Sequence, residues 1–148
     1  MSAPYSNIET KCEVAVKTHM QGIIHRIPGV NIYAGVESSN LESNIIELPC
    51  LIANAEGSEE YPPLTGQYIV DLILEVRSSA EDTTAAKHRD RVAYVRDEFA
   101  NTWVSMSLSQ AISDYTCAGV VLDRATQEQV ERAWQTNIPM KLYCRPSD

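Results

Sequence analysis

Residues 66–103 set the tightest limits on what this chain can become. From Gly66 to Arg77 hydropathy alternates with a period of two. Tyr68, Val70, Leu72, Leu74 and Val76 share one face, while Asp71, Glu75 and Arg77 take the other, as side chains must along a strand. Residues 78–84 break the pattern with Ser, Asp and Thr suited to cap a helix. From Ala85 the period changes. Ala85, His88, Val92, Val95, Phe99 and Trp103 recur at steps of three and four, the stripe of an amphipathic helix. A strand with one apolar face, followed by a helix with one apolar stripe, predicts a helix lying on a sheet.

The rest of the chain supplies partners for that core. Over residues 8–24, Ile8, Cys12, Ala15, Val16, His19, Met20 and Ile23 form a second helical stripe, with Ser6 or Asn7 as its cap. Pro28 and Gly29 stop it. Residues 30–36 alternate as a strand. Residues 37–49 are polar and loop-like, apart from Ile45, Ile46 and Leu48, which are either a docking contact or the start of the next strand. Residues 50–56 read as a strand, and residues 57–66, with Pro62 and Pro63, as a stiff turn-rich connection.

Leu108, Ala111 and Ile112 face inward in a short helix over residues 107–113, and residues 116–123 read as a strand. Residues 127–132 suit a helix by propensity. Alternation through Trp134, Thr136, Ile138, Met140, Leu142 and Cys144 instead marks a strand over residues 133–144. Pro139 cannot donate a ladder hydrogen bond, which calls for a sheet edge or a bulge there. The expectation is an α+β fold: a mostly antiparallel sheet of about 4–5 strands, two main helices packed on one face, and short links pairing the first three strands antiparallel. A length of 148 residues fits one domain with its own core.

Little in the sequence points to chemistry. No Gly-rich phosphate loop, G-x-S-x-G elbow or H-E-x-x-H pair occurs. Cys12, Cys50, Cys117 and Cys144 lack metal spacing, and Cys12 on the helical stripe reads as a buried thiol. His19 and His25 fall on different helix faces, while His88 sits on the core stripe. Glu59 and Glu60 form an acidic pair in a turn, where carboxylates normally face water. Lys87, Arg89, Arg91 and Arg96 interleave with Asp90, Asp97 and Glu98, a mixed-charge helix surface rather than a phosphate track. Trp103 and Trp134 read as core or interface anchors. No enzyme activity, cofactor or metal is expected.

A 44% hydrophobic and 22% charged composition excludes a disordered chain. No apolar run approaches the roughly 20 residues of a membrane helix, and residues 1–6 do not look like a secretory signal. The formal net charge of −8 opposes tight binding to nucleic acid, which depends on Lys and Arg displacing counterions. Acidity of this kind ordinarily means solubility, and it leaves room for a surface that DNA slides past.

The second face of the central strand departs from a self-contained monomer. Ile69 and Ile73 stand there among Asp71, Glu75 and Arg77. Large apolar residues on a face otherwise suited to water are covered either by a neighbouring subunit or by a loop of the same chain.

Residues 26–30 (Arg-Ile-Pro-Gly-Val), 62–70 (Pro-Pro-Leu-Thr-Gly-Gln-Tyr-Ile-Val) and 86–92 (Ala-Lys-His-Arg-Asp-Arg-Val), in that order, give a chain that resembles the tail-terminator or tail-completion proteins of long-tailed bacteriophages. The likeness spans nearly the whole chain and rests on the order of elements. It implies a structural virion protein, made in the host cytoplasm and incorporated at the neck. Such proteins form a ring, usually six-fold, that ends polymerisation of the tail tube and presents a joining surface to the head connector. On this reading the partners are further copies of the chain, the tail-tube protein and the connector. Genomic DNA crosses the lumen without specific binding. Ile69, Asp71, Ile73, Glu75 and Pro139 become candidate subunit-interface residues. Ser39, Asn40, Leu41, Ile45, Ile46, Glu59, Glu60 and Tyr61 become candidate axial contacts. A connector adaptor or stopper is the nearby alternative, and a small host ligand-binding domain the distant one.

Overall fold

The computed structural model describes residues 7–22, 30–35, 48–61, 63, 65–81, 83–100, 108, 112, 115–130 and 133–146. In chain order these form α1 (Ile8–Gly22), β1 (Asn31–Ala34), β2 (Cys50–Glu60), β3 (Tyr68–Ser79), α2 (Ala85–Ala100), β4 (Tyr115–Leu122), β5 (Thr126–Val130) and β6 (Ala133–Pro146). The strands make one six-stranded sheet in the order β1-β2-β3-β6-β4, with β5 also on β6. The architecture is α+β with a mostly antiparallel sheet.

Both helices lie over one face of β3. Val70, Leu72, Leu74 and Val76 are fully buried there with Ile138, Met140 and Leu142 of β6, beneath Cys12, Ala15 and Val16 of α1 and Val95 and Phe99 of α2. Each large apolar side chain so buried is worth roughly 1.5–3 kcal/mol over its exposed state. Asn7 caps α1 through Oδ1, which accepts from Thr10 N at 3.1 Å, and Thr84 Oγ1 caps α2 by accepting from Lys87 N at 3.2 Å. The helices meet where the His19 ring packs on Phe99 at 5.3 Å. Leu108 and Ile112 are buried as expected and joined by one helical hydrogen bond of 2.9 Å. Ile23, His25, Trp103 and Ala111 lie outside the described residues.

Four expectations need correction. First, β1 pairs with β2 in parallel, Asn31 beside Cys50 and Ala34 beside Ala53; only β2–β3 is antiparallel. The long link over residues 36–49 gives the chain room to return to the same end before entering β2. At the end of β1, a Cβ on Gly35 would stand 2.9 Å from Glu13 Oε2 and 3.0 Å from Asn54 Cα, an approach only glycine permits. That buried Glu13 carboxylate also accepts from Ala55 N at 2.7 Å, beside the register shift between Ala55 and Gly57. It serves a backbone N–H where the ladder slips, as a buried donor requires.

Second, Gly57–Glu60 are strand, not connection. They pair with residues 68–71 of β3, and the turn proper is tied by Tyr61 N to Gln67 O and by Gly66 N to Glu60 Oε2, both 3.0 Å. Gly66 adopts φ +74°, which favours glycine. Third, β5 is a strand that the expected fold lacked, which makes six. Helix propensity over 127–132 lost to cross-strand pairing, Thr126 with Asn137 through Val130 with Ala133.

Fourth, of the two settings expected for Pro139, a sheet edge or a bulge, the edge does not hold; an irregularity in the ladder does. β6 lies between β3 on one side and β4 and β5 on the other. Leu122 pairs with Met140 and Thr126 with Asn137, so Asp123, Arg124 and Ala125 stand opposite only Ile138 and Pro139. Pro139 O accepts from Asp123 N at 2.8 Å. Because N and O of one strand residue point to the same side, the missing proline N–H faces this irregular gap, where no ladder partner needs it.

Candidate interaction surface

The covered face of the sheet leaves the opposite face to be explained. In antiparallel register directly opposed residues share a face. Ile69 stands beside Glu59 and Tyr143, Asp71 beside Gly57 and Lys141, Ile73 beside Asn54 and Pro139, Glu75 beside Ile52 and Asn137. The structure therefore gathers Ile69, Asp71, Ile73, Glu75 and Pro139 on one face, the side away from both helices. Ile69 and Ile73 are half-buried, Asp71 is exposed, and neither helix covers them.

The face has two unlike halves. Toward the β3 C-terminus it is polar and self-satisfied. Arg77 Nη2 donates to Glu75 Oε1 at 3.1 Å, and Gln135 Nε2 donates to Glu75 Oε1 at 3.1 Å and to Asn137 Oδ1 at 3.0 Å. Cys50 and Ile52 lie under this half, fully buried, and burial pushes the Cys50 thiol up to about 11. Toward the β3 N-terminus the face is more open and mixes apolar residues with the exposed Asp71 and Lys141. Val121 of β4 is 51% exposed and Tyr143 of β6 37%. Val121 pairs with Lys141, and Gly119 with Tyr143, so both join Ile69, Ile73 and Pro139. A trough of about 490 Å³ crosses this half, lined by Glu56, Asp71, Val121, Asp123, Pro139 and Lys141 among others. Its walls come from β2, β3, β6 and β4, so the sheet curls around it. The carboxylates of Glu56, Asp71 and Asp123 outnumber Lys141 and leave it acidic.

Of the candidate axial contacts, Ser39, Asn40, Leu41, Ile45 and Ile46 lie outside the described residues. Glu59 and Glu60 end β2; Glu59 is at the rim of the open face, and Glu60 is occupied in holding the Gly66 turn. Tyr61 follows, 62% exposed. Val121, Asp123, Lys141 and Tyr143 were not singled out from the sequence. Their signal was present in β6: alternation that buries Ile138, Met140 and Leu142 must turn Pro139, Lys141 and Tyr143 outward.

The fold, as a fold, has a counterpart. The fold is one found in a virion. A chain from the structure of the virion of the native gene transfer agent (GTA) particle matches this one with a TM-score of 0.68, over 90% of this chain and 93% of that chain, at 14% identity. At that identity the likeness is one of fold. No family model matches the sequence, and no curated protein matches it.

Reactive groups elsewhere are engaged in packing. His88 is fully buried between Ser78 Oγ at Nδ1 and Thr136 Oγ1 at Nε2, both 2.8 Å. Arg91 donates to the same Ser78 hydroxyl. A neutral ring, accepting at one nitrogen and donating at the other, fits this chain. Burial, then the charges of Arg91 and Arg89, push its pKa below the usual value. Burial likewise lowers His19, against the opposing pull of Glu98. Cys12 and Cys144 approach to 3.7 Å between their sulfurs, and that hydrogen bond, together with burial, holds Cys12 protonated. Among the described residues no group of three or more His, Cys, Asp or Glu is placed to hold a metal, and no helix is long and apolar enough to cross a membrane.

Proposed function

We propose that this chain, as one domain, is a non-enzymatic structural subunit of a phage-type virion and acts as the tail terminator. In this role it closes into a ring of six copies on the head-proximal end of the tail tube. The ring stops tube growth and offers a joining surface to the head connector. The observation that carries the reading is the open half of the sheet face. Ile69, Ile73, Pro139, Val121 and Tyr143 gather there around the exposed Asp71 and Lys141, on the face opposite the main core. Surfaces of that kind mark assembly contacts. The fold shared with a chain of a virion agrees with it, as does the sequence resemblance to tail terminators.

In the ring, Ile69, Asp71, Ile73, Glu75 and Pro139 meet a neighbouring subunit. Residues 39–46 and the Glu59–Glu60–Tyr61 end of the β2–β3 hairpin meet the tube below or the connector above. A net charge of −8 keeps a lumen from holding the DNA that crosses it. The subunit is made in the host cytoplasm and ends in the virion.

Imaging of labelled particles tests the role. A terminator stays on tails made in the absence of heads. A connector adaptor or stopper, the second reading that a virion fold supports, does not. Deleting residues 39–46 leaves a folded subunit but impairs joining of heads to tails; normal infectious particles from that deletion remove the loop from the account.

A further inference from the structure

Two thiols that the fold brings together from the first helix and the last strand have no part in the assembly role. Cys12 stands in the second turn of α1, and Cys144 stands two residues before the end of β6. They are 132 positions apart in sequence, yet their sulfurs lie 3.7 Å from each other in the core. A third thiol is near. Cys117 of β4 is directly opposite Cys144 in the ladder and so shares its face. Its sulfur donates instead to Gly119 O at 3.5 Å, whereas Cys12 and Cys144 are bonded to each other. Cys50 pairs with Arg77 on the opposite face of the sheet, out of reach of the other three. All four cysteines are free. Helix α1 packs chiefly on β1, β2 and β3, so a covalent bond to β6 would tie it to a strand that its packing holds least.

We propose that Cys12 and Cys144 are a redox-sensitive pair, which closes to a reversible disulfide and fastens α1 to β6 when the chain meets a low-molecular-weight disulfide such as oxidised glutathione. In the first step the Cys144 thiolate attacks one sulfur of the small disulfide, whose S–S bond breaks and whose other half leaves as a thiolate. Cys12 then gives its proton to solvent and attacks the Cys144 sulfur, forming the Cys12–Cys144 bond and displacing the second small thiolate. Two protein thiols are oxidised, one small disulfide is reduced, and the two protons end on the released thiols. Cys144 attacks first because it accepts the hydrogen bond from Cys12, which holds its pKa below the ordinary thiol value against the effect of burial. Both thiols are buried, so exchange proceeds through local opening and is slower than at an exposed cysteine. The bond closes a loop of nearly the whole chain, the case in which a cross-link removes most entropy from the unfolded state. A reducing cytoplasm keeps such a pair as thiols, and an oxidising exterior closes it. That timing, open during assembly and fastened after release, rests on the virion role proposed above; the bond itself does not.

The test uses the purified full chain, held to constancy over a series of oxidised to reduced glutathione ratios and then unfolded in an alkylating reagent. Two of the four thiols should become protected, and peptide mapping without reductant should recover residues 12 and 144 as one linked pair. The oxidised chain should unfold at a temperature about 5–15 °C above the reduced one, and dithiothreitol should return it. Cys50→Ala and Cys117→Ala keep both the link and the shift, whereas Cys12→Ala and Cys144→Ala lose both, with thermal unfolding to show that each variant is folded. Four alkylated thiols at every ratio, a link through Cys117 or Cys50, or a link between chains overturns the proposal, and this wild-type result stands whether or not the alanine variants fold. The timing is read by trapping thiols in infected cells and in released particles. A 12–144 link in particles and free thiols in cells supports it, and four free thiols in released particles overturn it. Particles that lack the chain overturn the virion role and leave the disulfide standing.

Discussion

The two faces of β3 follow different rules although they share every backbone atom. On the helix side, Val70, Leu72, Leu74 and Val76 are sealed under α1 and α2. On the other, Ile69, Asp71, Ile73 and Glu75 alternate apolar with charged residues, half-covered at most. The first face is spent on folding. The second mixes side chains in a way that serves neither a core nor a solvated surface, and the proposed assembly role rests on that mixture. The polar half around Glu75, Arg77 and Gln135 satisfies itself, whereas the open half around Ile73, Pro139 and Val121 does not.

Substitutions on the two faces should separate folding from assembly. Leu74→Ala removes a fully buried side chain and should cost about 2–5 kcal/mol in denaturant unfolding. Ile73→Ala, one residue away on the open face, should cost well under half as much and instead reduce self-association. Equal losses of stability would mean that the chain's own residues seal the open face.

His88→Ala removes the ring partner of Thr136 and leaves Ser78 only its bond from Arg91, and should cost about 1–3 kcal/mol. The same residue gives the covered face a pH dependence. His88 and His19 both have folded pKa values below 6.5, so the folded state binds fewer protons than the unfolded one between those values and 6.5. Stability is therefore complete above about pH 6.5 and falls as pH drops through that window, by at most about 1.4 kcal/mol per pH unit for each histidine. His88→Ala should show a shallower acid decline than the wild type, with the remainder due to His19. A steeper one would contradict the neutral ring.

The smallest effect belongs to Trp134→Phe. It removes the indole donor to Thr83 O at 3.0 Å and should cost about 1 kcal/mol. Self-association should be unchanged, because the bond joins β6 to the turn before α2, away from the trough.

Much of this was legible in the sequence, because hydropathy period is a local signal. The alternation in residues 66–77 and the stripe from Ala85 placed β3 and α2, and the Ile69/Ile73 anomaly marked the open face. Pairing is not local. Whether β1 would run parallel to β2 depends on where residues 36–49 deliver the chain, which no period records. β5 was obscured because a short polar strand can resemble a helix when propensity is all there is to weigh. Pro139 could be known to need a ladder gap, but an edge and a gap between two strands satisfy it equally. Lys141, Tyr143 and Val121 join the site only once β6 is known to lie between β3 and β4.

The central claim is that the open face of β3 and β6 is covered by another subunit in an assembled particle. A cryo-EM map of purified particles, with this chain fitted, measures that directly. The account predicts a closed ring at the head-proximal end of the tail tube, with Ile73, Val121 and Pro139 buried against the neighbouring copy. A map in which that face meets only solvent, or in which the chain is absent, contradicts it.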